Sequence, residues 1–354
     1  MSALPITRPT NVVTFTLKVN GTALPRTVPV QSIEVVSQAN RVPYARLRVG
    51  DGNPASGDFA SSSGERFVPG NKISILAGYH GETEAIFGGV ILTQRLVARE
   101  GATWLELECR DPVFVMTLVR RNRYYEDASD SSVASTLLSE YQGKGVSAGD
   151  IVPSDVKHPQ LLQYQASDWD FMIGRLEAAG QVCFADAGKV RTVRPALTAA
   201  PAADIAFGFT VLELDAEIDA RTQTGEVRAV AWDPAAQALQ EATAADPGWS
   251  GNGNLSTGEL SGASGRKEDV IWHGGTLATD ELQEWADSTM LRARLAAARG
   301  RVRFQGLTAV KPGAVLQLSR FSERFNGKVY VTGVRHEISG GNWTTDAEFG
   351  LPRE

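Results

Sequence analysis

"PGNKISIL" at 69–76, followed by "FGGVILTQRLVAREGATWLELECRD" at 87–111, organises the chain. The same grammar returns near the C-terminus as "PGAVLQL" (312–318) and "FNGKVYVTGVRHEISGGNWTTDAEFGL" (325–351). In both, Pro-Gly opens an alternating strand, and Phe-x-Gly opens a second apolar strand carrying a threonine. A glycine turn then leads to a tryptophan and a last strand. Thr93 to Trp104 and Thr332 to Trp343 have the same separation. Their parities differ, because Trp104 falls on the polar side of its strand and Trp343 on the side of Thr345, Ala347 and Phe349. A bulge in one copy is expected to reconcile them. The reading is an internal duplication; the alternative is a chance likeness between two β-meanders.

Outward from this pair, "NVVTFTLKVNGTAL" (11–24) alternates Val13, Phe15, Leu17 and Val19 with Thr14, Thr16 and Lys18. It turns at Asn20-Gly21, the preferred hairpin dipeptide. The first 115 residues therefore read as strands, interrupted by a Gly/Ser-rich loop at 50–70. Between the copies the period changes. "SSVASTLLSEYQ" (131–142) places Val133, Ala134, Leu137, Leu138 and Tyr141 at helical spacing before Gly143. "YQASDWDFMIGRLEAAGQVCF" (164–184) reads as a helix capped by Ser167, with Trp169, Met172, Ile173 and Leu176 on one stripe and Gly180 as its stop, running into a strand. Residues 116–200 thus form a small mixed module. The Ala-, Gly- and Ser-rich segment 233–269 reads as an extended or mobile loop. A long helix follows at about 280–299, capped by Thr279 or Asp280 and stopped by Gly300. Leu282, Trp285, Ala286, Met290, Ala293 and Ala297 make one stripe of it. Leu291 and Leu295 project from the other face and need cover, either from the preceding loop or from a neighbouring subunit.

The chain has 354 residues, 42% hydrophobic and 21% charged, enough for two or three folded domains. A formal net charge of −6 argues against gripping nucleic acid. "VRRNRYY" (119–125) is a basic, aromatic spot, but Glu126 and Asp127 follow at once, so it reads as a solvated or interface segment. The sequence contains no apolar run of the ~18 residues a spanning helix needs. Its start lacks the basic and apolar regions of a signal peptide, so synthesis in the cytoplasm without stable membrane insertion is expected. Cys109 and Cys183 lie in apolar strand-like segments and read as unpaired buried thiols.

Catalytic motifs are missing: there is no P-loop, H-E-x-x-H, C-x-x-C or G-x-S-x-G, and "GNGNLSTGELSG" (251–262) lacks the strand-to-helix turn of a dinucleotide site. His80, His158, His273 and His336 fall in four different segments, so a metal site or triad would have to assemble in three dimensions. Asp168 and Asp170, on one turn, read as an N-cap arrangement. No catalytic, cofactor-binding or metal-ligating residue is assigned, no cofactor is expected, and the chain does not read as an enzyme.

"RRNRYYEDASDSSVASTLLSEYQ" (120–142) and "LLQYQASDWDFMIGRLEAAGQVCFADAGKV" (161–190) resemble the shared core of the baseplate hub family of contractile injection systems. That family includes phage late-control protein D and the N-terminal hub region of VgrG from type VI secretion. Tyr164, Ser167, Asp168, Trp169, Asp170 and Phe171 match its Tyr-x-x-Ser-Asp-aromatic-Asp-Phe segment. Leu176, Glu177, Gly180 and Phe184 match the helix and strand that follow. The resemblance implies a mainly β fold with α+β insertions: a tail-tube-like β-barrel at 1–115, a mixed α/β module at 116–204, a second barrel from 205–232 with 300–354, and an inserted loop and helix at 233–299. It implies a homotrimer that joins a six-fold tail tube to a three-fold spike, with the tube protein, the spike protein and other baseplate proteins as partners. Such a protein would be assembled in the bacterial cytoplasm as part of a virion tail or injection particle. VgrG continues into an OB-fold and a needle, whereas this chain stops at Glu354. Either the spike is a separate chain, or the chain is a shortened VgrG-type protein. The alternatives in function are an effector- or cargo-binding adaptor of a secretion machine and a glycan-binding or hydrolytic β protein.

Overall fold

The computed structural model describes residues 13–53, 56–249 and 253–351. The N-terminal stretch is all strand: β1 (Val13–Val19), β2 (Thr22–Ala23), β3 (Val30–Gln38), β4 (Tyr44–Gly50), β5 (Lys72–Tyr79), β6 (Glu82–Arg99) and β7 (Ala102–Arg110). Residues 11 and 12 of the expected first hairpin lie outside the described residues. Inward side chains of β1 and β3–β7 meet in one core that includes Leu17, Ile33, Leu47, Ile75, Ile91 and Leu105, so this sheet wraps round a single apolar interior. Phe67, at the end of the 50–70 loop, is buried in that core, and Asp51 accepts the amides of Ser61 and Ser62, so the loop is tied at both ends.

A mixed module follows: β8 (Arg120–Ser129), α1 (Asp130–Ser139), β9 (Ser147–Ala148), β10 (Lys157–Ser167), α2 (Asp168–Ala178), β11 (Val182–Asp186) and β12 (Lys189–Val193). The expected 131–142 helix is shorter and earlier, because Ser129 and Ser132 form a capping box and the helix ends at Ser139, before Gly143. In α2 the amide of Asp170 donates to the Ser167 hydroxyl. At its end Gln181 N–H donates to Leu176 O and Gly180 N–H to Glu177 O, a Schellman arrangement that Gly180 permits at φ +68°.

The remaining elements are β13 (Ala203–Ala206), β14 (Val211–Ile218), β15 (Glu226–Asp233), β16 (Ala238–Thr243), α3 (Thr257–Ser264), β17 (Glu268–His273), α4 (Thr279–Leu295), β18 (Ala298–Gln305), β19 (Val315–Ser319), β20 (Gly327–Ser339) and β21 (Asn342–Phe349). β13, β14 and β18–β21 enclose a second core of Ile205, Val302, Phe304, Leu316, Val331 and Phe349. Several expectations fail here. Residues 226–232 do not join this barrel: β15 pairs with β16 and β17 in a separate sheet whose Ala229, Ala231 and Ala242 pack under Leu282 and Ala286 of α4. The segment 233–269 is thus not a loop, since β16, α3 and the start of β17 lie in it. α4 stops at Leu295 because the chain then pairs with β14 and β21. Its N-cap is Ala278 with no side-chain bond, not Thr279 or Asp280. Gly300 serves the strand: a Cβ there would sit 2.2 Å from Asp215 O.

The two barrels repeat one another strand for strand. The first runs β3-β4-β7-β6-β5-β1 and the second β14-β18-β21-β20-β19-β13. Gly70 N–H donates to Ile91 O, and Gly313 N–H to Val331 O; both glycines have positive φ. The extra residue between Val30 and Ser32 recurs between Val211 and Glu213, and the one between Ile91 and Thr93 recurs between Val331 and Gly333. The Pro-Gly openings therefore correspond, but the expected threonine match is off by one. Bulged Leu92, not Thr93, is equivalent to bulged Thr332, and Thr103, not Trp104, to Trp343. Both copies carry the bulge, so it cannot reconcile the tryptophans. One strand departs from the pattern: β13 lies parallel to β19, whereas β1 lies antiparallel to β5. The barrels are fused in one sheet by an antiparallel pairing of β3 with the second half of β20.

Candidate assembly site

The helix-and-strand unit at 164–184 clamps three parts of the chain together. Asn40, in the β3–β4 turn at φ +60°, exchanges hydrogen bonds with Cys183: its amide donates to Cys183 O (2.8 Å), and its Oδ1 accepts from Cys183 N–H (2.7 Å). Its Nδ2 donates to Glu177 Oε1 at 2.6 Å. Glu177 also pairs with Arg292 of α4 at 3.1 Å, and its carbonyl accepts the Ser288 hydroxyl. Trp169, Met172 and Leu176 fill the module core, and Phe171 stacks on Tyr125. Tyr164 points outward.

Asp168 is fully buried and accepts from Tyr141 Oη (2.6 Å) and Gln163 Nε2 (2.8 Å). It is no partner to Asp170, which binds the Ser167 cap. The basic spot at 119–125 alternates: Val119, Arg120, Asn122 and Tyr124 are exposed, whereas Arg121 lies beside Asp168 and Arg123 is held by both oxygens of Glu140. Cys109 and Cys183 are free and buried, and burial pushes each thiol up to about 12.

The four histidines stay apart. His80 lies in the β5–β6 turn, and His273 ends β17 edge-on to Trp285. His158 is buried between Asp130 (3.2 Å) and Glu281 (3.1 Å). Burial opposes its charge, but the hydrogen bonds its ring donates to both carboxylates outweigh that and push its pKa up to about 9. His336 is pulled down to about 4 by burial, and its Nδ1 is spent on Thr345. His336 lines a cavity of about 260 Å³ where the two barrels meet the β11–β12 hairpin, with Phe87, Phe184, Val310 and the Lys311–Asp186 pair. Among the described residues, no group of three or more His, Cys, Asp or Glu could hold a metal ion, and no helix is long and apolar enough to cross a membrane.

Among the described residues, two strand edges of the barrels lack a partner strand. β14 ends the path of the large sheet, paired only with β18. The second half of β6, residues 93–99, pairs with β7 on one side, and β5 reaches only as far as Val90 on the other. Each is an open edge of a barrel, the kind of edge that recruits another strand. Leu291 and Leu295, by contrast, need no subunit. They pack with Phe184, Val315 and Tyr330, the cover coming from β11, β19 and β20 of the same chain.

No curated protein matches the chain. Among solved structures it is similar to a tail protein from Neisseria meningitidis MC58 (13% identity, 96% of each chain, TM-score 0.68) and to the 43 kDa tail protein of prophage MuSo2 from Shewanella oneidensis (10%, 96% of this chain and 98% of that one, TM-score 0.70). It is also similar to the E. coli c3393 protein, a component of the type VI secretion system (13%, 96% and 77%, TM-score 0.55). At such identities the likeness is one of fold. The family model that matches is one the residues at 164–184 did not bring forward: it spans residues 9–340, nearly the whole sequence, and the chain belongs to the Alg8 N-terminal domain family.

Proposed function

We propose that this chain is a structural baseplate hub of a contractile phage tail or injection system, acting as a trimeric adaptor between a six-fold tube and a three-fold spike. The observation that carries this reading is the duplication itself: two barrels with the same strand order and the same bulges, fused edge to edge in one chain. A chain bearing two equivalent barrels presents six when three copies close into a ring, so one assembly meets six-fold symmetry on one side and three-fold symmetry on the other. The fold shared with tail proteins supports it.

In this reading the barrels form the ring, and the 116–204 module and the β15–β17 sheet with α4 brace them from outside. The partners are the tube protein, a spike protein and other baseplate proteins, and the work is done by fit rather than by catalysis. Assembly takes place in the bacterial cytoplasm, and the product is part of a virion tail or injection particle. Native mass spectrometry of the purified chain, with electron microscopy of the particle that contains it, tests this. A trimer showing six barrels is expected; a chain that stays monomeric and never joins a tube would overturn it.

A further inference from the structure

The junction between the two barrels within the chain is a template for the junction between chains. In it, β3 lies antiparallel on β20, with Ser32 opposite Ser339, Ile33 opposite Ile338, Glu34 opposite Glu337, Val36 opposite Arg335 and Gln38 opposite Gly333. Both strands have a counterpart in the other barrel. The shared bulges make β14 the counterpart of β3, with Glu213 standing for Ser32, Leu214 for Ile33, Ala216 for Val35 and Glu217 for Val36. They make 93–99 of β6 the counterpart of 333–339 of β20, with Arg95 standing for Arg335, Leu96 for His336, Ala98 for Ile338 and Arg99 for Ser339. These two counterparts are the open edges of β14 and β6 described above.

Burial separates the used pair from the unused one. Ile33 and Ile338 are 1% and 4% exposed, whereas Leu96 is 46% exposed and Ala98 and Arg99 are exposed with it. Among the described residues, 93–99 and 211–218 make no backbone hydrogen bond on their outer sides. Carrying the register across sets Arg95 opposite Glu217, Leu96 opposite Ala216, Ala98 opposite Leu214 and Arg99 opposite Glu213. Both arginines of the β6 edge thus meet a glutamate of the β14 edge, the arrangement that favours cross-strand pairing. These groups already have partners on their own sheets, Arg95 with Glu106, Glu217 with Arg299, and Glu213 with Arg301 and Arg303, so the contact would extend existing ladders of charge.

We infer that β14 of one copy pairs antiparallel with residues 93–99 of β6 in the next copy, repeating the β3–β20 junction and continuing one sheet through the ring. The inference rests on the hub reading for the number of copies, but the partner, a second copy of this chain, follows from the two complementary edges. The contact is heterologous, so it closes only as a ring or runs on as a filament.

Two single-cysteine variants, Arg95→Cys and Glu217→Cys, test it when carried on chains of different tagged mass, mixed and oxidised. Opposed residues of an antiparallel pair have Cα atoms roughly 4.5–5.5 Å apart, within disulfide reach. Both sites are exposed edge positions, so folding is not at stake. A mixed disulfide dimer is expected, with none when Glu241→Cys replaces Glu217→Cys. In parallel, Arg95→Glu and Glu217→Arg should each shift the native mass towards monomer, and the two together should restore assembly. If the unmodified chain is a trimer yet no mixed disulfide forms, the strand pairing is wrong and the hub reading stands. If it is a monomer and no mixed disulfide forms, both are wrong.

Discussion

His158 ties the mixed module to α4, and its titration should be visible as a loss of stability at alkaline pH. The ring lies between Asp130 at the start of α1 and Glu281 in the first turn of α4. Arg175 reaches both carboxylates, and Glu284 with Arg194 completes the charged groups around it. Burial disfavours the imidazolium and Arg175 opposes it, but the hydrogen bonds to Asp130 and Glu281 prevail, so the pKa stands at about 9 against a usual ~6.5. At about 1.4 kcal/mol per unit, the protonated ring contributes ~3 kcal/mol to folding. Because the folded pKa is the higher one, the whole contribution is present below pH ~6.5 and disappears as the pH rises through about 9. Denaturant unfolding of the wild type and of His158→Gln, followed by tryptophan fluorescence from about pH 6 to about pH 10, should give profiles that converge at the alkaline end. The protection of the α4 amides against hydrogen exchange, corrected for the intrinsic pH dependence of exchange, should fall over the same range in the wild type only. Parallel stability profiles for the two proteins would refute the pairing as the source of the pKa shift.

The other predictions follow from single contacts. Leu295→Ala should cost about 2–5 kcal/mol in denaturant unfolding, because Leu295 is buried against Phe184 and Tyr330, while the native mass of the assembly stays unchanged. Gly306→Ala should disturb the barrel junction, since a Cβ there would lie 1.9 Å from Trp343 Cδ2; altered near-ultraviolet circular dichroism of the tryptophans is the readout. Tyr141→Phe should cost about 1–3 kcal/mol by taking the hydroxyl from buried Asp168, measured by thermal unfolding. His336 acts with the opposite sign to His158. Burial holds it near 4, so between pH ~6.5 and about 4 the unfolded chain takes up a proton that the native chain refuses, and stability falls with pH; His336→Asn should flatten that part of the acid limb.

Short-range signals carried the parts of this protein that depend on local backbone chemistry. Gly70 and Gly313 need positive φ to return an amide to the neighbouring strand, so the Pro-Gly repeats are visible in one dimension and mark equivalent places in three. Ser167 and Gly180 bound α2 through contacts within one turn of helix, and the alternation of β1 survives into its buried Leu17 and Val19. Where partners lie far apart in sequence, the same residues were misleading. Ala242 falls in what looks like linker composition, and Ala229 and Ala231 in what reads as a barrel strand, but their small side chains let the β15–β16 sheet press close under α4. Gly300 resembles a helix stop, yet it is required by the approach of β14 to β18. Leu291 and Leu295 look unpartnered on a helical wheel because their cover comes from strands on both sides of the helix in sequence. The matched bulges that correct the alignment of the two barrels, and the acidic and basic edges left open by it, arise only once strands choose their neighbours. That choice is made by long-range pairing, and no local window of sequence contains it.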